Sequence, residues 1–164
     1  MKIKSILYIS FIILLLLPAC GEKKEDFRER LNYYNSKYRF RITFPESWLN
    51  YATFEMNEII DPELKIKTLY FALPTRSRDW QPVNLPSGYA ALFSIRIFTT
   101  EQWILFINKY GEQKNELNNA DKKIGEDKNT VYMLKYSTSI PVDLYLYMKE
   151  VKGVAETFRL NISE

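Results

Sequence analysis

The side chains that most often carry catalysis are almost missing from this chain. Its 164 residues include no histidine and one cysteine, Cys20. Zinc sites of the usual Cys/His types, Ser-His-Asp triads and Cys-His nucleophiles therefore have no residues to build them. Ser-x-x-Lys, glycine-rich phosphate loops and HExxH are absent as well. What remains is Asp, Glu, Lys, Tyr and Ser without an evident partner. The expectation is a protein with no catalytic residues, no metal and no cofactor. Glu55, Glu58 and Asp61 form an acidic cluster that invites an oxygen-ligand metal site. They lack calcium-loop spacing, so surface charge is the expected reading.

Recognition is better supplied. Trp80 sits in RSRDWQP, flanked by Arg76, Arg78 and Asp79. Tryptophan with arginines is the composition of an interface hot spot, so Trp80, Arg76 and Arg78 are the candidate interaction residues. The competing expectation is that Trp80 folds back to cover the sheet edge, because large aromatics are mostly buried. Trp48, just after Pro45, is expected to plug the core between sheet and helix. Arg39, Arg41 and Arg96 suggest an anion site if they share a face; a solvated face with weak surface ion pairs is the plainer account. Tyr132, Tyr136, Tyr145 and Tyr147 invite glycan stacking, but sheet and helix packing explains them without a ligand.

Several regular elements must position these residues. Phe27 to Asn35 is a polar and aromatic lead-in with room for a short helical turn. Tyr38, Phe40, Ile42 and Phe44 alternate with Arg39, Arg41 and Thr43, which predicts a half-buried strand ended by Pro45. Further strands are expected at Tyr51 to Met56 and, after the Asp61-Pro62 turn, at Leu64 to Leu73. Pro74 to Gly88 holds three prolines and no apolar period, so it reads as a long irregular loop. Tyr89 to Phe98 is apolar on both faces and reads as a central strand, with Ala91, Phe93, Ile95 and Ile97 on one side.

Thr99 and Gln102 then form a capping-box pair for a helix with a Trp103, Phe106, Ile107, Tyr110 stripe, and Gly111 suits its C′ position. Glu112 to Asp121 is polar, a helical extension or a loop. A hairpin is expected from Lys123 to Tyr136 around Asp127-Lys128-Asn129. A second helix opens at Pro141 or Asp143, with Leu144, Met148, Val151, Ala155 and Phe158 on its stripe and Gly153 its weak point. Strands, helix, hairpin and helix in that order predict an α+β domain: an antiparallel β-sheet with helices packed on it.

Cys20 has a separate logic. Two lysines, an apolar run from Ile6 to Leu17 and then Pro18-Ala19 have the layout of a secretory signal peptide. The run is shorter than the roughly 20 apolar residues of a membrane span. Leu17-Pro18-Ala19-Cys20, followed by Gly21, resembles the lipobox of bacterial lipoproteins. That resemblance implies removal of residues 1–19 and a diacylglyceryl group on the Cys20 thiol. Two acyl chains, at about 0.8 kcal/mol per buried methylene, anchor stably where one is marginal.

Residues 20–26 then form a lipidated tether and residues 27–164 a single domain. The implied location is the extracytoplasmic side of the cell membrane, or the outer membrane where the envelope has two. Without residues 1–19 the 23 basic residues become 21, against 20 acidic ones. That balance leaves no electrostatic footprint for nucleic acid.

YRFRITFPESW (Tyr38 to Trp48) resembles the opening strand of PsbP-like and DcrB-like domains, and VAETFRL (Val154 to Leu160) their terminal helix. FSIRIFTTEQW through KIGEDKNTVYMLKYS is similar to small bacterial lipoproteins of the same broad type. The resemblance implies an α/β/α sandwich and a binding or assembly role, with no shared catalytic residues. The function expected is a non-catalytic accessory module for an envelope protein partner; a small-ligand or glycan binder is the alternative, and an enzyme the least favoured.

Overall fold

The computed structural model of the protein describes residues 28–80, 82–111 and 121–161. The signal segment, Cys20 and the tether lie outside the described residues. Two antiparallel sheets form the frame. The larger has five strands in the order β3 (Ala52–Asp61), β4 (Leu64–Pro74), β5 (Tyr89–Thr99), β7 (Thr130–Tyr136), β6 (Asp121–Glu126). The smaller has three: β1 (Asn32–Asn35), β2 (Phe40–Thr43) and β8 (Arg159–Leu160). Helix α1 (Thr100–Tyr110) and helix α2 (Met148–Glu156) complete the α+β domain, with 3-10 turns at Glu46–Trp48 and Val142–Tyr147.

Alternation sorts the large sheet's side chains. Leu69, Phe71 and Leu73 of β4, with Phe93, Ile95 and Ile97 of β5 and Tyr132 and Leu134 of β7, point to one face. Against them pack Phe40 and Ile42 of the small sheet, Phe44, Trp48, and Val151, Val154 and Phe158 from α2 and its end. Each such side chain contributes roughly 1.5–3 kcal/mol when fully buried. Phe71 and Phe93 stack at 4.6 Å between centroids, next to the Phe44–Tyr51 and Phe40–Phe158 pairs. The aromatic-rich composition is therefore spent mainly on this core.

The opposite face divides in two. Leu64, Ile66, Phe98, Val131 and Met133 receive Phe106 of α1. Ala72 and Ala91 receive Leu85 from the 74–88 loop. The α1 cap forms as its sequence predicts: Gln102 N donates to Thr99 Oγ1 at 3.2 Å, and Thr99 N to Gln102 Oε1 at 2.9 Å. Gly111, in contrast, stays helical at φ −62° and does not turn left-handed.

Four departures from the sequence expectations have physical causes. The lead-in contains a helical turn at Arg28–Arg30 and also strand β1, which pairs with β2 in the register Tyr34↔Arg41. The intervening turn puts Arg39 at φ +53°, uncommon for a residue with a Cβ. Tyr132 Oη donates to Tyr38 O, and Asn161 N to Arg39 O, which clamps that turn from two sides. A bulge in β5 inserts Leu92, so Leu92 enters the main core and Ala91 turns to the loop side.

The second helix begins as a 3-10 turn, with Leu144 N bonded to Pro141 O at 3.0 Å, and becomes α-helical only at Met148. Finally, the chain after Phe158 adds β8 to the small sheet. Gly125 of β6 makes room there, since a Cβ would lie 2.9 Å from the Phe158 ring.

Candidate functional site

The 74–88 loop is built, not slack. Thr75 N donates to Gly88 O at 2.8 Å and closes its neck, and Gly88 supplies the φ of +84° that the return requires. Beyond the neck, Trp80 N bonds Ser77 O and Ser87 Oγ donates to Arg78 O. Trp80 packs against the main core while Val83 and Leu85 pack against the other face, so the loop straddles one end of the sheet.

Arg76 and Arg78 are exposed, as an interaction site needs. Trp80 is half-buried, and its indole Nε1 is fully enclosed without a hydrogen-bond partner among the described residues. Its placement is the one in which the ring folds back over the sheet, not that of a free anchor.

Asp143, at the start of the second 3-10 turn, fastens the loop. Its carboxylate accepts Thr75 Oγ1 at 2.9 Å and the backbone N of Arg76 at 2.8 Å. The Arg76 amide, aided by the Thr75 hydroxyl, holds the Asp143 carboxyl below its ordinary pKa against the opposing effect of burial. The turn itself repeats every three residues, so Leu144 and Tyr147 face inward and the other two rows face out. Val142 and Leu146 are each 77% exposed and Tyr145 56%. Three large apolar side chains are thus exposed on one short turn, to which the backbone of exposed Arg76 is bonded through Asp143.

The other clusters are kept apart. Trp48 is fully buried, with Nε1 donating to Glu150 Oε2 at 2.8 Å, which makes it the core plug. Arg41 lies on the outer face of the small sheet, Arg39 in the preceding turn, and Arg96 inside the large sheet. Glu55 bonds Lys37 and Tyr38; Glu58 pairs with Arg96; Asp61 accepts Tyr110 Oη at 2.6 Å and Lys109 Nζ at 3.1 Å. The Tyr110 hydroxyl, with Lys109, pulls Asp61 down to about 2. No acidic group that could hold a metal ion gathers among the described residues. Tyr132 is buried, Tyr136 and Tyr147 pack on the core, and Tyr145 alone of the four is exposed.

The Glu58–Arg96 pair, with Thr68 Oγ1 donating to Glu58 Oε2 at 2.7 Å, is a buried polar node between the two apolar patches of the α1-side face. Burial pushes the Glu58 carboxyl up, but the Arg96 hydrogen bond and charge and the Thr68 hydroxyl outweigh it and keep the group below its usual range. A general acid needs the opposite shift. This pair joins β3 to β5 across β4.

No family model, curated protein or solved structure matches this chain.

Proposed function

We propose that the protein is a lipid-anchored, extracytoplasmic accessory module that docks an envelope protein through the surface formed by Val142, Tyr145 and Leu146 with Arg76 and Arg78. One observation carries the reading: a 3-10 turn, held from beneath by Leu144 and from the side by Asp143, displays three large apolar side chains to solvent. A contiguous apolar patch rimmed by polar groups is the mark of a protein contact surface. The basic margin selects a partner with an acidic rim around an apolar seat. Rigidity favours the same role, since little entropy is lost when the surface is already ordered.

The lipoprotein part of the proposal rests on the residues around Cys20 and the apolar run before it. Among the described residues no helix is long and apolar enough to cross a membrane. The PsbP/DcrB-like assignment draws support from the layer order, with α1 on one face of the antiparallel sheet and α2 on the other.

Two variants test this function. Cys20→Ser is expected to abolish lipid labelling and leave an unprocessed precursor; a wild type that partitions into the aqueous phase of a detergent separation contradicts the anchor. Leu146→Asp, in a pull-down from detergent-solubilised membranes, is expected to lose the captured partner at unchanged melting temperature. Equal capture by both chains contradicts the docking surface.

A further inference from the structure

The outer face of the small sheet carries a second, independent arrangement. In the observed register Tyr34, Arg41 and Arg159 stand directly opposite one another across β1, β2 and β8. All three are exposed, while their neighbours Phe40 and Ile42 point to the core. Like charges directly opposite on adjacent strands repel. Neither guanidinium has an ion pair among the described residues. Arg159 is instead oriented by donating from Nη1 to the carbonyls of Glu156 and Phe158, both at 2.7 Å. These side chains line an open trough of about 840 Å³, with Thr43 and Glu156 also in its wall. Gly153 borders it and leaves open space where a side chain would stand, with no atom within 4 Å of an ideal Cβ.

We infer that this trough binds a phosphodiester monoanion, and that its source is a phospholipid headgroup. Two guanidiniums facing one another supply the planar, charge-assisted donors that recognise phosphate. Glu156 sets the charge. With two cations and one carboxylate the trough carries one net positive charge, which matches a phosphodiester and disfavours the phosphomonoester dianion. Tyr34 continues the row and offers a ring to the glycerol side of the ligand. The choice of lipid as the source rests on the proposed Cys20 anchor. Cys20 and Asn32, the start of β1, are twelve residue steps apart. Fully extended, these steps span at most about 40 Å, so the face bearing the trough stays close to the bilayer.

The test uses the full chain in neutral detergent, titrated with glycerophosphoglycerol and separately with inorganic phosphate, while the Arg Nε–H resonances are followed. Arg41 and Arg159 are expected to shift saturably with the diester and more weakly with phosphate. Arg41→Gln and Arg159→Gln should each weaken diester binding by about tenfold or more, the scale of a charge-assisted hydrogen bond. Their melting temperatures should hold or rise, because a repulsion is relieved. Glu156→Gln should tighten binding and narrow the preference for the diester.

In nanodiscs, the same two resonances should respond to equimolar phosphatidylglycerol and phosphatidylcholine more than to phosphatidylcholine alone. A response to the soluble diester without one in the discs overturns the lipid source. No saturable shift, or unchanged affinity in both arginine variants, overturns the site. Aqueous partitioning of the wild type would sink the anchor and leave the titration standing, so the two failures are distinguishable.

Discussion

Trp48 and Trp80 occupy opposite situations in the same core. Trp48 closes a 3-10 turn, stacks 5.5 Å from Phe44 and gives its indole N–H to Glu150, which also accepts Ser47 Oγ. Sequence-distant elements are thereby locked through one carboxylate. Trp80 reaches the core from an irregular loop, and its enclosed N–H meets no acceptor among the described residues. Leaving a buried donor unmade costs roughly 1–3 kcal/mol. The region around Trp48 is thus satisfied and structural. Trp80 sits at a segment whose neighbours, Arg76 and Arg78, face solvent. In the proposed function the tryptophan sets the loop's position and the arginines make the contact.

The largest expected effect is at Trp48. Trp48→Ala should cost about 3–5 kcal/mol in urea unfolding, the range for truncating a core aromatic. A loss below about 1 kcal/mol would erase the contrast from the structural side. Next come the two phenylalanine exchanges, which should differ in sign. Trp48→Phe orphans a hydrogen bond to a carboxylate and should lose about 1–3 kcal/mol. Trp80→Phe removes an unmet donor, keeps most ring contacts and should leave stability unchanged or raise it slightly. Equal losses at both positions would break the comparison.

A smaller effect appears in acid. Asp143 has its pKa lowered in the folded state, so its contribution is complete above the ordinary aspartate value of 3.8 and is lost as pH falls through the lowered folded value. Because Asp143 fastens the loop start, Trp80 fluorescence should change in that window before Trp48 fluorescence does, read in single-tryptophan variants. Asp143→Asn should bring the loosened state up to neutral pH. Simultaneous changes at both tryptophans would mean that the loop is not a separate unit.

How legible this was depended on whether a signal was local. The long strands announced themselves by alternation, and α1 by its Thr99–Gln102 cap and the Trp103, Phe106, Tyr110 spacing. Strands β1 and β8 have four and two residues, and they exist because each finds β2 as a partner. Nothing in NYYN or RL alone says so. The Leu92 bulge was hidden because Tyr89 to Phe98 is apolar on both faces, so a one-residue slip changes no pattern.

The candidate site was half visible. Proline density marked the loop and its arginines as exposed, but the burial of Trp80 depends on the core it meets. The exposure of Val142, Tyr145 and Leu146 does not show in the sequence, because an α-helical period fits the residues that the chain folds as a 3-10 turn. A faint clue remains: Leu144 and Tyr147 are three apart, the inward spacing of a 3-10 turn starting after Pro141.

The docking surface is the central claim, and crosslinking reads it most directly. A photoreactive amino acid is placed at Leu146 in one chain and at Ile59 in another. Ile59 is 65% exposed on edge strand β3, away from the proposed surface, and serves as the control. Both chains are irradiated in intact membranes. The account predicts a discrete protein adduct from position 146, lost in the Arg76→Glu, Arg78→Glu background, and none from position 59. Adducts of equal yield from both positions, or none from position 146, would contradict it.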